Sequence, residues 1–261
     1  MEVRQVLSEM FRPARVNFPR RRFEYKSLDD VIEFDIADMS LLSKDNSGYK
    51  YILLAKNPFS KMIYCEPLLR KSAKETCAAM KKILSRSKIK FKMIFTDRGG
   101  EFLNNLVRKQ ILEPQKIHHY VSHSVKKCPH AENGIKTLKL KLYREMAMKG
   151  TQRWIDFLPK IVKNLNNTPH SRHKFKPISV TPRNEREIYR KFYSQPREIG
   201  TPKFRVGQKV RISNVFKETF RKSYRTSFSP EIFTITAVNV KKPCVYKLED
   251  YYGNPLPRSY Y

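Results

Sequence analysis

The stretch FKMIFTDRGGEF, residues 91–102, decides how this chain is read. A short apolar run ends at an aspartate, Asp97, which opens a glycine turn at Gly99 and Gly100. A helix candidate follows, from about 102 to 112. Asp97 before Arg98-Gly99 is good turn chemistry in its own right. It also stands where a strand ends, exposed to ligand, in a chain crowded with positive charge. A carboxylate there can hold a metal ion against a phosphate.

Working outward, VIEFDIADM (31–39), YKYILLAKN (49–57) and KMIYCEPL (61–68) read as strands, with Asn57-Pro58 beginning the turn between the last two. KSAKETCAAMKKILSR (71–86) has apolar residues at helical spacing, and KIHHYVS (116–122) reads as a fifth strand. AENGIKTLKLKLYREMAMK (131–149) and WIDFLPKIVKNLNNT (154–168) read as long helices. Strands first, then strand and helix in alternation, predict a mixed α/β domain. Residues 173–202, rich in proline and charge, read as a linker with one short helix. Short β-branched and aromatic runs after it, FRVGQKVRIS, EIFTITAVNV and CVYKLEDYYGNPLPRSYY, predict a small β-barrel. At the other end six arginines fall within the first 22 residues, so 1–25 reads as a basic extended arm.

The formal charge is +30 and the pI about 10.1 over 261 residues, which predicts a polyanionic partner, most simply nucleic acid. Structural RNA-binding proteins share that balance, so charge alone names no function. No apolar run approaches the roughly 18 residues of a spanning helix, and no signal peptide opens the chain, so no membrane role is expected. The four cysteines form no CxxC pair and fit a reducing compartment. His118, His119, His123 and His130 lie near Cys128 but match no standard zinc spacing, and they read as solvated or DNA-facing.

Phosphodiesters repel nucleophiles through their own charge. Two metal ions held by carboxylates relieve this, one activating the attacking oxygen and one stabilising the leaving oxygen. Three acids suit such a site. Asp35 lies in EFDIAD, within a strand that should be largely buried, where an aspartate is costly unless paired or metal-bound. Asp97 is the second. Glu132 is the third, at the start of a long helix, with Lys136 and Lys139 four and seven residues on along the same face. Asp38, three residues after Asp35, points to the other side of a flat strand and reads as structural. With 24 acids in the chain, any three can be picked out, and Glu132 is favourable near a helix start without any metal.

The series FDIADM … FTDRGGEF … AENGIKTLK resembles the DDE catalytic core of retroviral-type integrases, in particular those of Maverick/Polinton DNA transposons. GYKYILLA, FSK at 59–61 and the W…LP…NNTPH run at 154–170 extend the likeness, and FRVGQKVRIS with EIFTITAV resembles the SH3-like C-terminal domain of the same proteins. It covers nearly the whole chain from about residue 12, in order. The resemblance implies an RNase H-like core over 26–172 and an SH3-like DNA-binding domain over 203–261. It implies magnesium, with manganese as the alternative, on Asp35, Asp97 and Glu132. Lys136 and Lys139 would grip donor DNA, and Lys209, Arg211, Arg221 and Lys222 would bind DNA from the C-terminal domain. The implied activity is hydrolysis at an element end and strand transfer into target DNA, by a homo-oligomer in the nucleus, with a host chromatin factor as a further candidate partner.

The chain departs from that pattern in places. Family members usually show a tryptophan-containing entry to the first strand, where Ile32 stands, and often an aspartate before FSK, where Lys56 and Asn57 stand. Asn133, Gly134 and Ile135 replace an arginine-aromatic-asparagine run after the glutamate. A glycine inside a helix costs about 1 kcal/mol relative to alanine, so a weakened helix is expected there. No His/Cys zinc module precedes the core. The chain stops at Tyr261, within or just after an expected strand. These features raise an alternative: an integrase-derived DNA-binding protein, from a decayed or truncated element copy, that has lost catalysis.

Overall fold

A computed structural model of the chain describes residues 3–14, 25–121, 128–194, 198–214 and 226–261. They form two compact units, a larger one from described residues between 25 and 194 and a smaller one from 3–14 and 198–261. In chain order the elements are α1 (Val3–Phe11), β1 (Val31–Asp38), β2 (Tyr51–Lys56), β3 (Ile63–Leu68), α2 (Ala73–Ser87), β4 (Met93–Thr96), α3 (Asn105–Val107), α4 (Glu113–Gln115), β5 (His118–Val121), α5 (Pro129–Lys149), α6 (Leu158–Asn167), α7 (Pro182–Ile188), β6 (Lys209–Val210), β7 (Phe233–Asn239) and β8 (Val245–Glu249).

The larger unit is built on a mixed sheet in the order β3-β2-β1-β4-β5, antiparallel from β3 to β1 and parallel from β1 to β5. β2 is covered on both faces, which is why YILLA carries no polar alternation. Leu53 and Ala55 join Ile32, Phe34 and the Cys77, Met80 and Ile83 of α2 in one core layer. Ile52 and Leu54 join Leu138 and Leu142 of α5, Trp154, and Leu158 and Ile161 of α6 in the other. The result is helix, sheet, helix. α2 starts where Ser72 accepts the Glu75 N–H at 3.3 Å.

Two expected segments take other forms. The helix expected over 102–112 is α3 and α4 joined by a π-helical turn at Arg108–Leu112. Residues 173–194 pack into the larger unit, where the sequence reads as linker. Ile188 of α7 and Tyr193 bury against Tyr25, Leu28 and Phe59, Tyr193 Oη donates to Phe59 O at 2.6 Å, and Leu28 N to Glu185 Oε2 at 2.9 Å.

The smaller unit holds a three-stranded antiparallel sheet, β6-β7-β8, around Phe233, Ile235, Tyr246 and Leu248. Where an extended arm is expected, Val3–Phe11 is helical and belongs to this unit. Met10 O accepts from Ser227 N at 2.7 Å and Phe228 N at 3.1 Å.

Candidate active site

Asp35 sits on β1, and Asp97 follows the last residue of β4, its parallel neighbour. Their register pairs Glu33 with Phe95, and continuing it by two residues brings Asp97 level with Asp35. Glu132 lies in the first turn of α5. The Asp35 carboxylate feels the other two. Burial, helped by the charges of Asp97 and Glu132, pushes the Asp35 carboxyl up to about 6, against the Ile36 N–H at 2.8 Å and the charge of Lys71. Asp97 also closes its own turn, Oδ1 accepting from Gly99 N at 2.9 Å, so the turn reading and the site reading hold together.

Among the described residues, no group of three or more His, Cys, Asp or Glu is placed to hold a metal ion. The donor set nonetheless fits a hard divalent cation. It consists of carboxylate oxygens only, one of them raised chiefly by burial and further by its two neighbours, and a cation beside it would favour the ionised form.

Three neighbours escaped the sequence reading. Lys71, just ahead of α2, pairs with Glu101 at 2.9 Å. That hydrogen bond first, then the charges of Glu101, Asp97 and Asp35, hold its ammonium above the ordinary lysine value. Cys128 is buried, and burial, added to by Glu33, Asp35, Asp97 and Glu132, drives its thiol well up, so it stays protonated. Glu33, fully buried on β1, meets the start of α5: its Oε2 accepts from His130 N at 2.8 Å and Ala131 N at 3.0 Å, and its Oε1 from His130 Nδ1 at 2.8 Å and Tyr25 Oη at 3.3 Å. The bonds to α5 span 97 and 98 residues of sequence, beyond any local pattern.

His119 Nε2 lies 2.8 Å from Thr96 Oγ1, and His123 lies outside the described residues. Gly99 and Gly100 are not held at positive φ. A Cβ at Gly99 would meet only the Glu101 carboxylate, the far end of a flexible side chain, and one at Gly100 would meet open space.

α5 carries its glycine at a close contact with the sheet. The helix runs unbroken over 21 residues, and Gly134 lets it lie close on the sheet, because a Cβ there would come within 3.0 Å of Leu54 Cδ2. Lys136 is exposed on this helix, and Lys139 Nζ donates to Asp38 O at 2.7 Å beside the end of β1. Asp38 itself caps the next turn, accepting from Ser40 N at 2.8 Å. In the smaller unit Lys209 is exposed. Arg211 has partners within the smaller unit. It pairs with Glu9 at 3.0 Å and donates to Ser229 O and Pro230 O, with only 9% of its side chain exposed. Arg221 and Lys222 lie outside the described residues.

No family model matches the chain. It is 28% identical over 197 residues to a transposon-derived protein of Caenorhabditis elegans, an alignment that covers 75% of this chain and 65% of that protein. Among solved structures it is similar to a simian T-cell lymphotropic virus intasome in complex with a PP2A regulatory subunit, with a TM-score of 0.64 and 11% identity, over 91% of this chain and 79% of that one. The HTLV-2 integrase catalytic core in complex with magnesium also aligns, with a TM-score of 0.49 and 15% identity, over 58% of this chain and 95% of that one. The fold is thus RNase H-like, a mixed five-stranded sheet flanked by helices, with a small additional sheet.

Proposed function

We propose that this chain is the DNA integrase of a mobile element, cutting and joining phosphodiesters with divalent metal ions. The observation that carries the proposal is the convergence on Asp35 of the charges of Asp97 and Glu132, from three separate elements, in a protein of formal charge +30. The transposon-derived relative and the retroviral fold neighbours support it. Because the chain spans 65% of the length of that relative, the activity of a whole protein is part of the proposal.

Asp35, Asp97 and Glu132 would hold magnesium or manganese. Bound there, the metal would supply charge neutralisation at the scissile phosphate and a more acidic attacking hydroxyl. The protein's own share is positioning. Two parallel strands and one helix start fix the carboxylates, while Lys136 and Lys139 line donor phosphates along α5. Water first attacks near the element end and releases a 3′ hydroxyl. That hydroxyl attacks target DNA, its oxygen forming a new phosphodiester as the target's own 3′ oxygen leaves with a proton. One ester replaces another, so no nucleotide triphosphate is consumed.

In this reading the smaller unit is an SH3-like DNA-binding domain. The chain acts in the nucleus as a homo-oligomer holding both element ends, with a host chromatin factor as a further partner. The rival reading is a DNA-binding derivative without catalysis.

The test is strand transfer with a labelled element-end duplex, a supercoiled plasmid and magnesium. Wild type should give joined product. Asp97→Asn and Glu132→Gln should each abolish joining and leave salt-sensitive DNA binding intact. Joining that survives both substitutions would remove these acids from the site. Binding without joining in the wild type would favour the derivative.

A further inference from the structure

We infer that Glu33 is a positioning residue: it fixes the first turn of α5 and so sets Glu132 against Asp35. The inference rests on the reading of Asp35, Asp97 and Glu132 as the metal-holding set.

A helix start leaves its first backbone N–H groups without partners inside the helix. Usually the N-cap side chain serves them. Here the N-cap is Cys128, which makes no side-chain cap, and the next residue is Pro129, which has no N–H. His130 N and Ala131 N go to Glu33 Oε2 instead, and Glu132 N is the first to find backbone, Cys128 O at 2.8 Å. The whole first turn is therefore satisfied, and its cap comes from a strand.

The strand is the one that carries Asp35. Glu33 and Asp35 are two residues apart, on the same side of β1, and Ala131 directly precedes Glu132. The path from one acid to the other thus runs through two residues of strand, one hydrogen-bonded carboxylate and one helical residue. A local cap at position 128 would stabilise α5 without tying it to β1. This one does both.

The carboxylate is itself held from every side. His130 Nδ1 and Tyr25 Oη fix Oε1, and Lys56, its cross-strand partner on β2, supplies a buried counter-charge. Burial and the Glu33 charge keep the Tyr25 hydroxyl far above its ordinary value, so it remains a donor. A negative charge at a helix N-terminus is also favoured by the helix dipole. A buried acid so fully paired cannot drift, and neither can the turn above it.

The experiment separates positioning from simple capping by using three proteins: wild type, Glu33→Gln, and Glu33→Gln with Cys128→Ser. Glutamine keeps only one of the two acceptor oxygens and loses the charge, so it cannot serve the backbone N–H pair and the His130–Tyr25 pair together. The serine then offers a local cap. Two quantities are read in each, amide hydrogen exchange over residues 129–134 and Mn2+ affinity by calorimetry. Fluorescence of the single tryptophan, Trp154, monitors the fold. Glu33→Gln should exchange at least tenfold faster at 130–131 and bind Mn2+ at least tenfold more weakly, with Trp154 unchanged. The double variant should recover protection but not affinity.

If affinity returns together with protection, Glu33 is a helix cap only and the inference falls. It also falls if Glu33→Gln matches wild type in both readings. Should Glu33→Gln fail to fold, Glu33→Asp keeps the charge beside Lys56 while withdrawing the acceptor, and the same outcomes decide. A wild type that binds no Mn2+ overturns the metal reading instead, while the exchange data still decide whether Glu33 holds the turn.

Discussion

Lys61 illustrates how a single buried charge leaves a measurable trace. Its side chain is buried in the larger unit, where Nζ donates to Pro58 O and lies 5.4 Å from the centre of the Tyr193 ring, which Arg172 also approaches at 5.1 Å. Burial, then the charges of Lys56 and Arg172, bring the ammonium down to about 7 from an ordinary 10.5. In the unfolded chain the group keeps its proton up to the ordinary value, so between about pH 7 and 10.5 the unfolded state binds more protons. The contribution of Lys61 to stability therefore improves as pH rises through that window and is flat below it. Lys61→Met removes the buried charge and should be the more stable protein at pH 6–7, by about 2 kcal/mol after the missing hydrogen bond is counted. The gap should close towards pH 10, as followed by urea unfolding at each pH; a gap that is constant with pH would show Lys61 to be ordinary. Such a residue is hard to foresee, because FSK names the lysine but not the aromatic residue 132 positions later that covers it. The acids were easier. Asp97 and Glu132 stand at the end of one element and the start of another, and Asp35 is a charge inside an apolar strand, so all three leave marks in local sequence. Glu33 and Lys71 act through contacts made only by the fold. The pairing of Arg211 was not legible, because its sequence neighbourhood is basic while its partner, Glu9, lies at the other end of the chain.

At the scale of the element, the departures from family pattern turn out to have structural reasons. Asn57 accepts from Phe59 N at 2.9 Å and Ser60 N at 3.1 Å through Oδ1, as an aspartate could, but its Nδ2 also donates to Leu28 O at 2.7 Å. Asn57→Asp should therefore cost about 2 kcal/mol in thermal unfolding, since it sets a charge against a buried carbonyl; a neutral result would mean that the bond to Leu28 carries no weight. Gly134 argues the same way. Helix propensity alone predicts that Gly134→Ala gains about 1 kcal/mol. The 3.0 Å approach to Leu54 Cδ2 and 3.4 Å to Lys56 Cδ predict overpacking that outweighs it, for a net loss of about 1 kcal/mol. A measured gain would mean that the sheet yields. The resemblance marked both positions as departures, because a sequence pattern is local and close packing is not. The strands were legible for the opposite reason: β2 and β3 are bounded by turn residues, and their apolar runs need no partner to be recognised. The edge of β3 is closed by side chains the sequence did not single out, Asn166 bonding Ile63 N at 2.9 Å and Ile63 O at 2.8 Å, and Arg86 donating to Cys65 O at 3.2 Å.

For the whole molecule the question is which positive charges meet a polyanion and which hold the protein together. A charge of +30 invites the view that every lysine and arginine is for DNA, and the ion pairs deny it. Arg211 is bound to Glu9 of α1 and to two carbonyls within the smaller unit, whereas Lys209, two residues earlier, is exposed. The two should separate cleanly. Lys209→Ala should leave the unfolding midpoint unchanged and lower the slope of log affinity against log salt by about 1, since one fewer phosphate is neutralised. Arg211→Met should leave that slope unchanged and reduce stability by about 2 kcal/mol, because Glu9 and the Ser229 and Pro230 carbonyls lose their donor. Fluorescence anisotropy with a duplex across a salt series, run beside thermal unfolding, measures both. If Arg211→Met flattened the salt dependence in a folded protein, the guanidinium would have to leave Glu9 for phosphate when DNA binds. The helix α1 would then be a latch on the smaller unit that DNA releases, and Glu9→Gln should raise DNA affinity.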